Sequence, residues 1–435
     1  MTGRGTFTRQ RAVVAGLVAA VLTVLVTPGT ALAERGWELS ALSVTAAHKI
    51  SKGKGVTVAV IDTGIRTKHP VLAGRATEGP DMLDETDQSE SWYGRHGTSM
   101  ASSILDVAPA AKVLGLRAIR DDEDPDFVGW SDTEAGNKIG DRQAIAKAIR
   151  YAADHGAKVI SMSIGDGKDP MSRPLREEAA AIEYALSKGV VVVSAAGNEG
   201  RVDDENGVSY PGAYPGVITA GAAEPGNSSD CRGCRLGARA KFSQVHSYVD
   251  FLAPGVAIYS ANFTSSGRKK TQGTSSAGAI TAGVAALIVA KYPDLAPRQV
   301  EQALIRSASH YAKGHDPQTG YGLINAEKAL KVAASLKPES ALPAVGREGA
   351  GSHFGPGDDG TPRIIGQPLD TTYLVVGGVG GLLGLAVIVV GLVLFGSGRR
   401  AARAVPTAPA PATSAPAVAP PTPSGAPDPW RGDGR

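Results

Sequence analysis

Four polar side chains, far apart in the sequence, are of the types that nucleophilic catalysis by a serine requires. They are Asp62, His96, Asn198 and Ser275. A serine hydroxyl becomes a good nucleophile when an imidazole accepts its proton, and a carboxylate must hold that imidazole in the correct tautomer. A side-chain amide can donate a hydrogen bond to the oxyanion that then develops. The residue types therefore predict a serine nucleophile with its base, its orienting acid and an oxyanion donor.

Each of these residues has an ordinary structural explanation when it is taken alone. An aspartate at a strand end is often a turn former or a helix cap. A single histidine before a glycine is more often structural than catalytic. Whether the four residues are structural or catalytic therefore depends on the strands and helices that carry them.

Short β-branched runs alternate with helical patterns from residue 56 onward. The predicted strands are Val56–Ile61, Lys112–Ala118, Val159–Ile164, Val190–Ala195 and Val217–Gly221, and the predicted helices include Asp141–Asp154 and Glu177–Lys188. This alternation is typical of an α/β fold, a doubly wound parallel sheet with helices on both faces. Functional groups of such folds gather beyond the carboxyl ends of the strands.

The four residues lie where this fold would bring them together. Asp62 and Asn198 follow predicted strands, whereas His96 and Ser275 stand at the starts of predicted helices. At the start of a helix, backbone N–H groups and the helix dipole favour developing negative charge. The order and the setting of the four residues favour one shared site.

The surrounding motifs resemble those of the subtilase family over roughly residues 53 to 335. They are Val58–Gly64, His96–Thr98, Ala196–Asn198 and Gly273–Ser275, with scaffold-like stretches at Ser161–Gly165, Leu252–Gly255 and Gly320–Ala326. The resemblance implies a subtilisin-like serine endopeptidase with Asp62, His96 and Ser275 as the catalytic triad and Asn198 in the oxyanion hole. It also implies that Ser163, Ile164 and Gly165 line the substrate cleft and pair with an extended peptide. It implies neither a cofactor nor a metal.

The sequence departs from the family's pattern beside the serine. Ser276 stands where family members usually have a bulky apolar residue, and Ala279 stands where they usually have a proline. Without that proline, the first turn of the predicted helix is less constrained.

A second stretch, Gly97–Ala101, also reads like the family's serine motif. Its Ser99 is only three residues from His96 at the same predicted helix start, so both side chains would come from one element. Ser275 arrives from a separate strand-to-helix crossing, as the convergence of base and nucleophile requires. We therefore predict that Ser275, and not Ser99, is the nucleophile.

Apolar segments near the two ends predict export and anchoring. A basic stretch, the apolar run Ala12–Val26 and the small residues Ala31 to Ala33 predict a signal peptide cut after Ala33. The alternative is an uncleaved membrane helix. Tyr373–Phe395 is long enough to span a bilayer, and the arginines that follow it place the C-terminal tail in the cytoplasm.

These signals divide the chain into six parts. We predict a signal peptide at 1–33, an N-terminal extension at 34–52, a catalytic domain at 53–335, a Pro/Gly-rich linker at 336–372, a transmembrane helix at 373–395 and an Ala/Pro-rich cytoplasmic tail at 396–435. The predicted location is the cell membrane, with one span and an extracellular catalytic domain. This architecture resembles that of the mycosins, subtilases associated with bacterial type VII secretion. That resemblance implies membrane proteins of a secretion complex as partners and a protein or peptide substrate.

The two cysteines, Cys231 and Cys234, lie three positions apart in a polar segment. Two thiols do not complete a structural zinc site, and a redox motif would be expected at a helix start beside a strand. In an oxidising compartment a small disulfide in a surface loop is the favoured interpretation.

The charge and the motifs leave two other classes of protein to weigh. A formal net charge of +3 over 435 residues creates no strong field, so nucleic acid is not predicted as a partner. A nucleotide-binding α/β protein would need a glycine-rich phosphate loop after the first strand, and the sequence has none there. A catalytically idle, subtilase-like membrane scaffold is the main alternative, although it would need none of the four polar residues.

The acidic segment Asp121–Asp126 follows a predicted strand that borders the substrate groove in similar proteins. We predict that it lies beside the cleft and favours basic residues near the scissile bond. A solvated loop or a loose cation site is the alternative.

Overall fold

The fold is described from a computed structural model. The structure describes residues 36–83, 88–121, 123–125, 127, 135–165, 174–200, 206–229, 231–339, 381–382, 384–390 and 392. The chain divides into two units, residues 1–367 and 368–435, and the architecture below is that of the first.

A parallel sheet forms the centre of the first unit. Its strands are β1 (Thr57–Asp62), β2 (Ala76–Glu78), β3 (Lys112–Arg117), β4 (Val159–Met162), β5 (Val191–Ala195), β6 (Val217–Ala223) and β7 (Phe251–Pro254). Their order across the sheet is β2-β3-β1-β4-β5-β6-β7, and every neighbouring pair is parallel. The chain proceeds from β1 to one side and later to the other, so the order reverses beside β1. In open α/β sheets a binding crevice forms at such a reversal.

Helices cover both faces of this sheet. They are α1 (Trp37–Ala41), α2 (Val44–Ala47), α3 (Arg95–Val107), α4 (Ala135–Asp154), α5 (Arg176–Ser187), α6 (Thr274–Lys291), α7 (Pro297–Ser307) and α8 (Ala326–Ser335), with a short 3₁₀ helix at Tyr311–Lys313. An antiparallel hairpin of β8 (Ile258–Ala261) and β9 (Arg268–Thr271) lies outside the sheet.

Alternate side chains of each buried strand point to opposite faces of the sheet. Val58 and Val60 of β1 belong to the core under α3, α6, α7 and α8. Ala59 and Ile61, the residues between and after them, belong to the core under α4 and α5. Both faces are apolar, which explains the uninterrupted β-branched runs. The predicted doubly wound fold is confirmed.

Helix α6 is buried on nearly all sides. Among the described residues, α6 is the one helix that is long and apolar enough to span a membrane, with a mean hydropathy of 1.4. However, 83% of it is buried inside the domain. Its apolar residues therefore serve the core. The predicted span at 373–395 lies largely outside the described residues. Its described positions, at 381–382, 384–390 and 392, are helical with exposed apolar side chains.

The segment that precedes β1 is part of the core. Leu42, Val44 and Ala47 are buried with residues of α8. The backbone N–H of Ala326 donates to the carbonyl oxygen of Leu42 at 2.8 Å, and the indole of Trp37 donates to that of Val256 at 3.1 Å. The predicted extension is thus fastened to the far end of the domain.

Candidate active site

Asp62 is the last residue of β1, and its side chain is fully buried. Its Oδ1 accepts a hydrogen bond from the N–H of Thr63 at 2.7 Å. Both of its carboxylate oxygens face Nδ1 of His96, at 2.8 and 2.9 Å. A buried carboxylate needs such partners, so the strand end and the imidazole fix each other.

His96 is the second residue of α3, and a glycine lets this helix approach the end of β1. A Cβ atom at Gly97 would collide with the carbonyl oxygen of Gly64. The N–H of Gly97 donates to Oγ1 of Thr63 at 3.2 Å. The His-Gly pair is therefore a packing requirement of the contact between His96 and Asp62.

The contact with Asp62 sets the tautomer and the basicity of His96. Because a carboxylate only accepts hydrogen bonds, Nδ1 carries the proton and Nε2 keeps its lone pair. Burial lowers the pKa of His96, but the charge and hydrogen bond of Asp62, together with the charge of Asp121, outweigh it. Lys269 acts in the lowering direction, and the net pKa lies above the ordinary 6.5. The side chain is 35% exposed and open to a reactant.

Ser275 is the second residue of α6 and is held by Ser163 in two ways. Its Oγ donates to the carbonyl oxygen of Ser163 at 3.2 Å, and the hydroxyl of Ser163 donates to the carbonyl oxygen of Ser275 at 2.9 Å. In the part of the chain that the structure describes, no hydrogen bond joins Ser275 to His96. A hydrogen bond from the hydroxyl of Ser275 to Nε2 of His96 would therefore require that hydroxyl to leave the carbonyl oxygen of Ser163.

Asn198, just after β5, has its amide oriented by Thr274. Its Oδ1 accepts from the N–H and the hydroxyl of Thr274, at 2.8 and 3.0 Å. A backbone N–H can only donate, so the oxygen must face Thr274 and the NH₂ group must point elsewhere. Thr274, buried and bonded also to the N–H of Gly197 at 3.1 Å, was not among the predicted site residues. The sequence signal that could have identified Thr274 as a site residue is its place just before Ser275.

A cavity of about 320 Å³ brings three of the predicted residues together. His96, Asn198 and Ser275 all line it, with Asp62 buried behind His96. The cavity is therefore lined by the starts of α3 and α6, by the loop after β5 and by the β8–β9 hairpin.

The predicted substrate-binding stretch follows β4 directly. Ser163 touches Ser275, as described above, whereas Ile164 is buried in the core on the other face of the sheet. A Cβ atom at Gly165 would collide with the hydroxyl of Ser209, so this backbone is closely packed. Pairing of this stretch with a peptide stays a prediction.

Ser99 has a structural role in this fold. It is buried, and its hydroxyl donates to the carbonyl oxygen of Ala261 at 2.9 Å. The N–H of Ala261 in turn donates to the hydroxyl of Ser102 at 2.8 Å. The two serines thus fasten α3 to β8.

The positions that depart from the family's pattern are buried in α6. The hydroxyl of Ser276 lies 3.4 Å from that of Thr271, and Ala279 is fully buried. The helix continues unbroken from Thr274 past Ala279 to Lys291, so it begins at the expected place without a proline.

The acidic segment is divided between two environments. Asp121 lines the cavity and lies 3.8 Å from the guanidinium of Arg95. Asp124 is buried and pairs with Arg117 at 2.7 Å, so the prediction is wrong for this residue. Arg117 also pairs with Asp81 at 2.6 Å; its buried guanidinium draws the carboxylates inward because an unpaired buried charge is costly. Asp122 and Asp126 lie outside the described residues.

Glu78, a residue that the sequence did not single out, joins the two loops that carry the acid and the base. Its carboxylate accepts from the N–H of Ile65 at 3.0 Å and from the hydroxyl of Tyr93 at 2.6 Å. Ile65 follows the Asp62 loop, and Tyr93 comes just before α3. Burial raises the pKa of Glu78 to about 8. No sequence pattern marks this residue, because its partners are distant in the chain.

The two cysteines form a disulfide away from the catalytic cavity's lining residues. The sulfur atoms of Cys231 and Cys234 are joined as a disulfide, which lies in a surface turn. Among the described residues, no group of three or more His, Cys, Asp or Glu side chains is placed to hold a metal ion.

Comparisons with known proteins identify the family of the chain. The model of the subtilase family matches residues 53–325. Subtilisin DY of Bacillus licheniformis is 32% identical over 289 residues, which cover 64% of this chain and 92% of that protein. Mycosin-1 of Mycobacterium tuberculosis is 33% identical over 336 residues, covering 70% of this chain and 74% of that protein.

Solved structures give the same result at the level of the fold. The MycP3 protease from the type VII (ESX-3) secretion system has a TM-score of 0.58 and 30% identity, over 68% of this chain and 88% of that chain. MycP1 from the ESX-1 type VII secretion system has a TM-score of 0.58 and 28% identity, over 71% and 88%. Because the family model spans more than half of the chain, and subtilisins and mycosins are among the similar proteins, the chain belongs to the subtilase family and is a subtilisin-like serine endopeptidase with mycosin homologues.

Proposed function

We propose that the chain hydrolyses peptide bonds with Asp62, His96 and Ser275 as its triad and Asn198 as an oxyanion donor. One observation carries the proposal. The imidazole of His96 is held by buried Asp62 through Nδ1 and shares a cavity with Ser275 and Asn198. An idle scaffold would not need a base with its tautomer fixed beside a serine at a helix start.

The reaction follows from these positions. The hydroxyl of Ser275 gives its proton to Nε2 of His96 as Oγ attacks the carbonyl carbon of the scissile bond. The carbonyl oxygen becomes an oxyanion, which accepts hydrogen bonds from Nδ2 of Asn198 and the backbone N–H of Ser275. His96 then gives the proton to the leaving amine. Water repeats the sequence on the acyl-enzyme and releases the second product, with Asp62 stabilising the imidazolium throughout.

The stretch Ser163 to Gly165 supplies the strand on which the acyl part of the substrate pairs. It continues from β4 and contacts Ser275 through Ser163. Pairing of an extended peptide with such a stretch uses main-chain hydrogen bonds for affinity.

The setting that we propose is the outer face of a cell membrane. A signal peptide at 1–33, a single span at 373–395 and a cytoplasmic tail at 396–435 are supported by the hydropathy and charge of those segments. Several of the similar structures come from type VII secretion systems. We propose a protein substrate at the cell envelope and membrane proteins of such a system as partners.

Labelling with a serine-directed fluorophosphonate tests the catalytic proposal. The full-length chain in detergent should be labelled, and Ser275→Ala should abolish the label. Ser275→Ala should also lower turnover by about 10⁶, and Asn198→Ala by about 10²–10³, as in subtilisin.

Ser99→Ala and Ser276→Ala are the matched controls and should keep the label and most of the activity. A label that survives in Ser275→Ala and disappears in Ser99→Ala would overturn the assignment. No label and no turnover in the wild type would favour the scaffold.

A further inference from the structure

The β8–β9 hairpin contributes one wall of the active-site cavity. Lys269 and Thr271 line it from alternate positions of β9, and Phe263 lines it from the turn of the hairpin. Side chains of a strand alternate between its two faces. Lys270 accordingly lies on the other face, where its ammonium stacks over the ring of Tyr259 at 5.3 Å.

Two cations stack over the ring of Phe263. The guanidinium of Arg95 lies 3.9 Å from the ring centroid, and the ammonium of Lys269 lies 4.1 Å from it. Stacking of this kind holds a long cationic side chain in place. Arg95 also forms ion pairs with Asp121 and Glu123, which balance its charge on the α3 side of the cavity. Lys269 brings its positive charge from the hairpin wall.

The charge of Lys269 acts at the reacting centre. It lowers the pKa of His96, which means that the ammonium is close enough to disfavour the imidazolium. A substrate carboxylate near Lys269 would form a charge-assisted pair in a partly enclosed cavity, where such pairs are stronger than in open water.

The position of the cavity identifies the part of the substrate that enters it. If the acyl side pairs with Ser163 to Gly165, as proposed above, that stretch marks one side of Ser275. None of its three residues lines the cavity; Gln272 and Ser276, which flank Ser275 in sequence, do. The cavity therefore receives residues on the leaving-group side of the scissile bond.

We propose that Lys269 is a specificity-determining residue that selects an acidic side chain at the first or second position after the scissile bond. This inference rests on the proposed function of the site. It differs from the prediction for the acidic segment, because Asp121 is engaged by Arg95 and the charge invoked here is that of Lys269 on the hairpin.

Paired peptides test the inference on the full-length chain in detergent. Fluorogenic peptides that differ only in Glu, Gln or Lys at these two positions are compared by kcat/KM at low ionic strength. The wild type should prefer Glu by about tenfold. Lys269→Gln should bring the preference close to one, and Lys269→Glu should reverse it in favour of Lys peptides.

Lys270→Gln is the matched control, since it removes the same charge from the neighbouring residue on the other face. It should leave the Glu preference unchanged. A preference that persists in Lys269→Gln, or that falls equally in both variants, would overturn the inference.

A binding measurement separates this inference from the proposed catalytic role. In the Ser275→Ala background the same peptides are titrated by fluorescence anisotropy, which needs no turnover. Tighter binding of the Glu peptide, lost on adding Lys269→Gln, supports the inference even if the triad is wrong. Equal binding of Glu and Gln peptides contradicts it even if Ser275 is the nucleophile.

Discussion

The hydroxyl of Ser275 is bonded to a carbonyl oxygen and not to its proposed base. At 3.2 Å its bond to Ser163 is longer than a typical O–H···O hydrogen bond, so little energy opposes its exchange for Nε2 of His96. The backbone of Ser275 is held separately by the hydroxyl of Ser163. The residue can thus reorient its side chain while its N–H stays in place for the oxyanion.

The pH dependence of catalysis should report the charges around His96. The base must be neutral, so kcat/KM rises with pH as His96 loses its proton. Because Asp121 raises the pKa of His96, Asp121→Asn should move this acid limb to lower pH. Lys269 lowers the same pKa, and Lys269→Gln should therefore move the limb to higher pH.

Profiles of kcat/KM from pH 5 to 9 measure both shifts. Glu123→Gln is the control, because Glu123 pairs with Arg95 as Asp121 does but is not among the groups that shift the pKa of His96. An acid limb that stays in place or rises in Asp121→Asn would contradict the electrostatic explanation.

At the scale of elements, the sequence predicts the strands and helices that have a local apolar pattern. The buried strands are uninterrupted apolar runs, so the ends that carry Asp62 and Asn198 are visible in the sequence. The starts of α3 and α6 are marked by glycines and by the apolar helix that follows Ser275. These signals suffice to predict the doubly wound fold and the convergence of the four polar residues.

The remaining features depend on contacts between distant parts of the chain. The polar strand β9 has no apolar alternation, so nothing local shows that Lys269 reaches the cavity. Asp124 turns inward because Arg117 is buried behind it. The partner that Thr274 orients, Asn198, is 76 positions away, so the sequence marks Thr274 only by its place before Ser275. Glu78 acts through Tyr93, 15 positions away, and no local pattern marks it.

The short loop at Cys231 and Cys234 carries a prediction of its own. We expect a disulfide in the exported protein, so that reduction adds the mass of two hydrogens to the intact chain. So short a ring constrains the unfolded chain little, and Cys231→Ser with Cys234→Ser should change the stability only slightly. Mass spectrometry of the alkylated chain, with and without prior reduction, checks the bond; free thiols before reduction would rule it out.

At the scale of the whole molecule, the segment before β1 links parts that are distant in sequence. Glu38 of α1 is only 5% exposed, and its Oε2 has no hydrogen-bond partner among the described residues. Burial and the charge of Asp106 raise its pKa, while its own backbone N–H and Arg268 act in the opposite direction. Arg268 belongs to β9 and pairs with Asp106 of α3 at 2.5 and 2.6 Å. The charges of Arg268 in β9 and Asp106 in α3 thus act on the buried carboxyl of this segment.

The contribution of Glu38 to the stability of the domain should decrease as the pH rises from about 4.5 to about 7. In the folded chain the pKa of Glu38 is raised from 4.5 to about 7, so over this interval the unfolded state loses the proton while the folded state keeps it. Proton loss then favours unfolding, and the decrease levels off above the folded pKa. Glu38→Gln removes this titration and should flatten that part of the profile.

Melting temperatures of the full-length chain across pH 4 to 8 measure the difference between the two proteins. Glu177→Gln, a change at an exposed position of α5, is the control and should leave the wild-type profile unchanged. A Glu38→Gln profile parallel to that of the wild type would count against the buried carboxyl as the cause.

The sequence of helix α6 must be apolar enough for the core and yet not so apolar that it stops in a membrane. It is apolar enough to resemble a span, yet an exported chain must thread it through the translocation channel before the fold exists to bury it. Thr281, in the middle of the helix, has a buried hydroxyl without a hydrogen-bond partner in the part of the chain that the structure describes, which costs the folded state on the order of 1–3 kcal/mol. Replacing it with valine would relieve that cost and at the same time make the segment more prone to stop in the bilayer. If the chain is exported as proposed, a residue that weakens the core would thus help the helix of the proposed nucleophile to cross the membrane.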